Sequence, residues 1–194
     1  MDITIFKDIK QTSRPFFRNI NLVLTRIQDG ASKEIVKKIR AEKDKENRNI
    51  LKQKLPAICF SGKFSKRADN ALQEHSGYIC LDFDGYPSNR DMLQEKERLS
   101  KDKYIYTVFI SPSGNGLKAI VKIPPIVDNH KSYFVSLEKY YDSEYFDKTC
   151  KNVSRVCYES YDPLIHINAQ SSLWDKITEQ EYVEVNKHTD IPTI

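Results

Sequence analysis

The stretch GYICLDFDGYPSN, residues 77–89, decides how the fold of this chain is predicted. Its first half is rich in the aromatic, β-branched and aliphatic residues typical of buried strands, but it ends in two carboxylates, Asp82 and Asp84. Side chains alternate across a strand, so both aspartates belong to one face. The apolar residues that alternate with them belong to the other face, which we expect to pack on helices.

Two aspartates in this arrangement are a candidate metal platform. Their side chains leave the strand about 6–7 Å apart, and two carboxylates that close repel each other unless a cation or a proton lies between them. Hard divalent cations such as Mg²⁺ are held by one or two carboxylates together with substrate phosphates. The alternative is a polar strand end at which the aspartates cap the following turn.

The second motif is SPSGNGLKAIVKI, residues 111–123, a small-residue turn followed directly by a strand. Exposed N–H groups in such a turn can hold phosphate oxygens, and Lys118 adds a positive charge beside them. The alternative is an ordinary hairpin with a solvated lysine. Four small residues would let the backbone approach a ligand closely: Ser111, Ser113, Gly114 and Gly116.

The third motif is FDKTCKNVSRVCYESYDP, residues 146–163. Asp147 offers a further carboxylate, while Arg155 and Asp162 flank a predicted strand that can lie beside the aspartate strand. The alternatives are a surface charge for Asp147, a structural ion pair for Arg155 and formation of the turn before Pro163 for Asp162.

The hydrophobic pattern along the chain predicts an α+β fold. The strands over 103–110 and 117–124 are joined by a tight turn, so they are antiparallel, because parallel strands need a long crossover. Residues 65–75 are predicted as a loop or short helix, and the segment around Trp174 is predicted to cover the core before a frayed end. The predicted helices are 15–29, 32–52, 89–102 and 128–142, and the other predicted strands are 2–9, 55–64, 77–84 and 154–163.

Composition is typical of a soluble globular protein, with 39% hydrophobic and 30% charged residues among 194. No apolar run approaches the ~20 residues that cross a bilayer. The four cysteines form no CxxC pair, which favours reduced thiols and a cytoplasmic location. The net charge is +4, and residues 33–67 concentrate basic side chains that suit either a phosphate backbone or a solvated helix face.

These three motifs, with the upstream segment LKQKLPAICFSGKFSKR (51–67), resemble the N-terminal domain family associated with virulence-associated protein E of Bacteroides-type bacteria and their mobile elements. That domain in turn resembles the archaeo-eukaryotic primase superfamily. The similarity covers most of residues 1–170. It implies a primase-polymerase-like core with an RRM-like antiparallel sheet, helices on one face of that sheet and a helical N-terminal extension.

The resemblance also implies a site. Asp82, Asp84 and Asp147 would be catalytic residues that bind two divalent metals, Mg²⁺ or Mn²⁺, with Asp162 as a competitor for the third position. Lys118 stands where the superfamily usually has histidine, and a lysine lacks the hydrogen bonding of a neutral imidazole. Whether the domain is an active enzyme is therefore left open. The implied nucleotide-binding residues are Ser111, Ser113, Gly114, Gly116, Lys118 and Arg155.

The implied function is a primase-polymerase-like domain that binds nucleic acid and nucleoside triphosphates and performs two-metal nucleotidyl transfer. The setting would be DNA replication of a mobile element, with a helicase or ATPase partner domain or chain and no membrane. We expect one domain over residues 1–194, with a mainly helical part (1–54), an α+β core (55–170) and a C-terminal tail (171–194).

Two other functions compete with this one. A catalytically inactive nucleic-acid-binding module would keep the sheet and lose turnover. A haloacid-dehalogenase-like phosphatase would use LDFDG as its first motif, with Asp82 as nucleophile and Asp84 as acid/base. Tyr86 replaces the threonine expected there, and the predicted hairpin fits a doubly wound sheet poorly.

Overall fold

The structure is a computed structural model and describes residues 1–177. These residues form ten strands and five α-helices. The helices are α1 (Ile20–Asp29), α2 (Lys33–Ala41), α3 (Lys45–Lys52), α4 (Asn89–Ser100) and α5 (His130–Tyr141). The strands are β1 (Asp2–Phe6), β2 (Phe16–Asn19), β3 (Ala57–Cys59), β4 (Gly62–Phe64), β5 (Leu72–His75), β6 (Tyr78–Asp84), β7 (Ile105–Ile110), β8 (Gly116–Lys122), β9 (Cys157–Tyr158) and β10 (His166–Ile167).

The central sheet has four strands in the order β10-β7-β8-β6, and all of their pairings are antiparallel. Strands β7 and β8 form the predicted hairpin around the SPSGNG turn. In the β6–β8 pairing, Asp82 lies opposite Lys118 and Asp84 lies opposite Gly116. The predicted antiparallel sheet is confirmed, and its register places the two aspartates beside the end of the hairpin.

Helices α4 and α5 cover one face of this sheet. The core there contains Ile79, Leu81 and Phe83 of β6, packed with Met92 and Leu99 of α4. Helix α5 closes the same core with aromatic residues that include edge-to-face ring pairs. The apolar face of β6 therefore packs on helices as predicted, and the α+β fold class is confirmed.

The opposite face of the central sheet is covered by a second antiparallel sheet. Its strand order is β2-β1-β3-β9, and α1 packs in the same layer. The core between the sheets includes Ile3 of β1, Ile58 of β3, Cys157 of β9 and Ile120 of β8. The part predicted as mainly helical, residues 1–54, thus also supplies two strands to a sheet that it shares with later segments.

The segment predicted as one helix over 15–29 begins as a strand. Residues Phe16–Asn19 form β2, which pairs with β1. Asn19 then begins α1, because its side chain accepts a hydrogen bond from the Asn21 N–H at 3.0 Å. The apolar spacing from Phe16 onward fits a helix, but the backbone hydrogen-bonding groups of these residues pair with β1 instead.

The predicted helix 32–52 is two helices, and the predicted strand 55–64 is likewise divided into β3 and β4. Glu42 adopts an extended conformation after α2. Asp44 then begins α3 by accepting a hydrogen bond from the Asn47 N–H at 2.8 Å. The charged pattern is continuous across this break, so the pattern does not predict that the helix is divided.

Other segments also differ in detail. Residues 65–75 contain a short 3₁₀ turn (Asp69–Ala71) and β5, and the predicted strand 154–163 is reduced to β9. Trp174 is buried against the core, as predicted. The predicted frayed end, and most of the tail 171–194, lie outside the described residues. No helix within residues 1–177 has the length and apolar character needed to span a membrane.

Asp162 lies in a buried ion pair away from the other predicted acids of the site. Its carboxylate binds Lys96 Nζ at 2.6 Å and accepts hydrogen bonds from the Ile110 N–H at 2.9 Å and the Leu164 N–H at 3.0 Å. The carboxylate side chain is only 2% exposed. Asp162 therefore ties the C-terminal segment to α4 and β7 and is not available as a third metal ligand.

We expect Asp162→Ala to lower the free energy of unfolding by about 3–5 kcal/mol, because it leaves the Lys96 ammonium buried without an anion, with only the Leu164 carbonyl at 2.8 Å as a hydrogen-bond acceptor. The measurement is equilibrium denaturation in urea. Glu97→Ala is the matched control, since it breaks an exposed ion pair with Lys101 on the same helix and should not change the midpoint measurably. Equal effects of the two substitutions would contradict this account.

Candidate functional site

A cavity of ≈ 200 Å³ opens at the end of β6, next to the hairpin turn, α3 and β9. Its lining comes from parts of the chain that are distant in sequence. Six of the predicted site residues line it together: Asp82, Asp84, Ser111, Ser113, Lys118 and Arg155.

Asp82 and Lys118 form a hydrogen-bonded ion pair across the β6–β8 pairing. Both side chains are largely buried, at 10% and 15% exposure. Burial by itself would lower the pKa of Lys118, but the charge and hydrogen bond of Asp82, together with the nearby Cys157 and Cys80, outweigh this effect and raise that pKa. Lys118 is therefore a cation at neutral pH. The second carboxylate oxygen of Asp82, Oδ1, is buried and has no hydrogen-bond partner within residues 1–177.

Asp84 ends β6 at the rim of the cavity. Although the residue is exposed, neighbouring atoms desolvate its carboxylate and the charge of Asp82 repels it, so the pKa of Asp84 is raised. The nearby Lys118 opposes this increase without cancelling it. A Cβ atom at Gly116 would lie 2.0 Å from Asp84 Oδ1, so glycine at this position makes room for the carboxylate.

The segment after α5 carries Asp147 to the same place. The Asp147 N–H donates to the Asp82 carbonyl at 2.9 Å, and the Asp84 N–H donates to the Tyr145 carbonyl at 2.8 Å, so this segment runs along the edge of β6 opposite β8. The ligand atoms of Asp82, Asp147 and Cys150 all lie within 4.8 Å of one another. The structure thus brings the predicted third acid beside the first.

Neighbouring groups keep Asp147 ionised. Burial would raise its pKa, but hydrogen bonds from Cys150 and Thr149, together with Arg155 at 3.7 Å, lower the pKa overall. Burial and the same hydrogen bond raise the pKa of the Cys150 thiol to about 12. That thiol therefore stays protonated and donates to Asp147 at 3.0 Å.

The acidic end of the cavity fits a hard divalent cation. Mg²⁺ and Mn²⁺ prefer carboxylate oxygens, and this end offers those of Asp82 and Asp84, with Asp147 beside Asp82. The buried and unpartnered Oδ1 of Asp82 is a ligand atom that no group in residues 1–177 satisfies. A hard cation is favoured over a softer metal, because two of the three clustered ligand groups, Asp82 and Asp147, offer carboxylate oxygens.

The SPSGNG turn is held in place by α2. Arg40 donates hydrogen bonds to the Ser111 carbonyl at 3.2 Å and the Tyr161 carbonyl at 2.8 Å. Its side chain also lies against Gly114, which has a φ of +79° that favours glycine. The structure therefore places Gly114 against α2, whereas Ser111 faces the cavity with a buried hydroxyl that has no partner in the described chain.

The sequence analysis missed two residues of the cavity, Lys52 at the end of α3 and Tyr158 of β9. Burial and the charge of Arg48 lower the pKa of Lys52, while Asp84 and Asp82 oppose that decrease. Lys52 belongs to the basic segment that the sequence does reveal. Nothing in the spacing separates it from the other lysines there, and only tertiary packing directs it into the site.

The fold and the site define an α+β protein in which three acids, three basic side chains and a small-residue turn meet at the end of one strand. The family described as "BT4734-like, N-terminal domain" matches residues 50–166, and the chain belongs to this family. Among solved structures, the chain is similar to the catalytic domain of primase Repb′ in complex with initiator DNA, with 12% identity, a TM-score of 0.42 and coverage of 98% of this chain and 90% of that chain. No curated protein matches significantly.

We expect Asp84→Asn to raise the thermal unfolding midpoint at pH 7–8 without added metal. Because the folded state raises the pKa of Asp84 above its ordinary value of 3.8, stability is lost as the pH rises through the folded-state pKa, and asparagine removes that loss. The gain should be largest above neutral pH and vanish near pH 3. Differential scanning fluorimetry measures it.

The control for this prediction is Asp128→Asn, which removes an exposed acid outside the cavity. A gain that is independent of pH, or equal in both variants, would contradict the raised pKa of Asp84, which desolvation and repulsion by Asp82 produce together. Adding Mn²⁺ should shrink the advantage of Asp84→Asn, since the metal stabilises only the protein that retains the carboxylate.

Proposed function

We propose that this domain is a primase-polymerase-like module that binds a nucleoside triphosphate with Mg²⁺ or Mn²⁺ beside a nucleic-acid strand. The observation that carries the proposal is the convergence of opposite charges in one cavity. Asp82 and Asp84 form its acidic end with Asp147 beside Asp82, and basic side chains line the same cavity. Such an arrangement suits a ligand that is itself an anion with bound divalent cations.

The basic side of the cavity supplies groups of the kind that bind phosphates. Lys52, Lys118 and Arg155 come from three different elements, and the Ser111 hydroxyl is buried there without a partner in residues 1–177. Arginine binds phosphate oxygens through two parallel hydrogen bonds, whereas lysine acts as a point charge. A triphosphate chain would satisfy these donors together.

The divalent cations would supply activation of an attacking hydroxyl and neutralisation of the leaving phosphates. The residues of the chain would hold and orient the reactants. Asp82, Asp84 and Asp147 would bind the cations, and Lys118 would exchange its contact with Asp82 for a contact with a phosphate oxygen. Because Lys118 remains protonated in its buried position, it would add charge and would not act as a base.

The protein has a basic surface beside this cavity that would bind a nucleic-acid strand. Helices α2 and α3 are charged on their outer sides, and both reach the site through side chains, Arg40 at the turn and Lys52 in the cavity. Phosphate backbones bind such surfaces largely through electrostatic attraction. The exposed lysines of this surface are Lys37, Lys38, Lys43, Lys45 and Lys54.

The second candidate is a catalytically inactive module with the same ligands. The ion pair of Lys118 with Asp82 favours it, because a cation fixed on a metal-binding carboxylate competes with the metal. The phosphatase alternative fits less well. The named strand pairings within the described residues are all antiparallel, whereas a haloacid-dehalogenase-like phosphatase would have a doubly wound parallel sheet.

The biological setting rests on the motif resemblance alone. We infer from it a role in DNA replication of a mobile element, a cytoplasmic location, a helicase or ATPase partner domain or chain, and a relation to virulence-associated protein E. The four cysteines are free thiols, which is compatible with a reducing compartment.

The test of activity is template-dependent nucleotide incorporation with Mg²⁺ or Mn²⁺, comparing wild type with Asp82→Asn. We expect at least a hundredfold loss of product in this variant, because it removes a carboxylate from the cation site. Asp128→Asn, outside the site, should retain full activity. If wild type binds Mn²⁺ and nucleotide but yields no product with either metal, the inactive module is correct. If wild type binds neither, the proposed function is wrong.

A second prediction concerns nucleotide affinity. We expect Lys52→Gln to weaken the binding of a nucleoside triphosphate about tenfold, or ~1.4 kcal/mol, by removing a cation from the cavity. Lys54→Gln removes an equal charge two residues away on the exposed surface and should change affinity less than twofold. Isothermal titration calorimetry in the presence of Mn²⁺ measures both, and equal losses would place the nucleotide outside this cavity.

A further inference from the structure

A second cavity, of ≈ 310 Å³, adjoins the first. The two cavities share Arg155 and Val156, so they meet at one wall. The second cavity is lined mainly by hydrogen-bond donors. Besides the shared residues, its lining consists of Arg67, Asn152 and Ser154.

Arg67 is half-buried in this wall, and no acidic side chain among residues 1–177 pairs with it. Its backbone N–H donates to the Thr12 carbonyl at 2.9 Å, which fixes the main chain at this point. Its guanidinium makes no hydrogen bond or ion pair within the described part of the chain. By contrast, Arg26 pairs with Glu159 at 2.8 Å. A partly desolvated guanidinium is costly unless an anion satisfies it, so an external anion is expected at Arg67.

The acids nearest to the cavity are already engaged. Asp69 accepts hydrogen bonds from the Ser154 N–H at 2.9 Å and the Ser154 hydroxyl at 2.6 Å, and more weakly from Asn152 at 3.4 Å. The Arg155 N–H donates to the Asn152 carbonyl at 3.0 Å, which completes a closed turn. Asp69 therefore shapes this turn through its Oδ1 atom, and within residues 1–177 its carboxylate forms no ion pair with Arg67.

Arg67 also lies close to the first cavity. Burial raises the pKa of Tyr158, which lines that cavity, and the positive charge of Arg67 opposes this increase. Arg155, whose Nη2 is 3.7 Å from Asp147 Oδ2, lies between the acidic site and Arg67. A chain of phosphates that leaves the first cavity past Arg155 would therefore meet Arg67 next.

We propose that Arg67 and Arg155 form a binding site for a backbone phosphate of the nucleic-acid strand, adjacent to the nucleotide cavity. This site rests on the proposed function, and it gives the position at which the nucleic-acid strand would bind. Two planar guanidinium groups suit a phosphate, which can accept paired hydrogen bonds from each. A strand fits better than the nucleotide itself, because Arg67 lines only the second cavity, whereas Lys52 and Lys118 line the first and Arg155 lies in the wall that the two share.

The test compares Arg67→Gln with Lys66→Gln, which removes the same charge from the exposed neighbouring residue. Fluorescence anisotropy measures the affinity of a labelled single-stranded oligonucleotide over a salt series, and of a labelled nonhydrolysable nucleoside triphosphate with Mn²⁺. We expect Arg67→Gln to weaken oligonucleotide binding about tenfold more than Lys66→Gln and to reduce the salt slope by about 0.7, the value for one phosphate contact on a single strand. Nucleotide affinity should change less than twofold.

Equal effects of the two substitutions, or no oligonucleotide binding by wild type, would overturn the site. If Arg67→Gln weakens nucleotide binding and leaves oligonucleotide binding unchanged, then Arg67 binds a phosphate of the nucleotide, and the proposed contact with the strand is wrong. Arg67→Lys keeps the charge without the planar fork and should be intermediate, and unchanged thermal midpoints exclude misfolding. If wild type binds no nucleotide while the Arg67-specific loss persists, the proposed function fails and this site stands.

Discussion

The ion pair between Asp82 and Lys118 is the interaction on which the site depends. It joins neighbouring strands at directly opposite positions, so the register of the β6–β8 pairing determines it. A slip of β6 by one residue would turn Asp82 toward the helices and away from Lys118, and would turn the apolar face of β6 toward the second sheet. The same register that buries the core therefore also delivers a carboxylate and an ammonium group into the cavity. Fold and site are specified by one alternating pattern, and neither can change without the other.

The second sheet explains why this pair is effective. An RRM-like sheet with one open face would leave its aspartates in water, where charges interact weakly. Here the face that carries Asp82 is covered by β1, β3 and β9, and the cover ends where Asp84 reaches the surface. Asp82 is consequently buried, with one oxygen unpartnered among the described residues, while Asp84 remains accessible. A ligand can enter from the side of Asp84 and still meet groups that are partly shielded from solvent.

Local patterns predicted the parts of this structure that are locally determined. The alternation in β6 and the turn before β8 identified the sheet, and the helix predicted over 89–102 corresponds to α4, which begins at Asn89. The strand β2 was missed because its apolar spacing also fits a helix, and only its partner β1 decides between the two. The positions of Arg40, Lys52 and Arg67 near the site were missed because they too depend on contacts that are distant in sequence. Each is one basic residue among many, and its position near the site is set by packing over long stretches of chain that the sequence pattern does not encode.

The position of Lys118 connects the empty and the ligand-bound states of this site by simple electrostatics. Without a cation, the ammonium neutralises Asp82, and the burial of both charges is tolerated because they are paired. A divalent cation bound by Asp82 and Asp147 would repel the ammonium and release it, and the nearest anion would then be a phosphate that arrives with the cation. Under the proposed function, metal and nucleotide should therefore bind cooperatively, since the metal releases the Lys118 ammonium and a phosphate of the nucleotide then binds it. A histidine at this position could leave as a neutral group, whereas lysine makes the exchange depend on a negatively charged ligand.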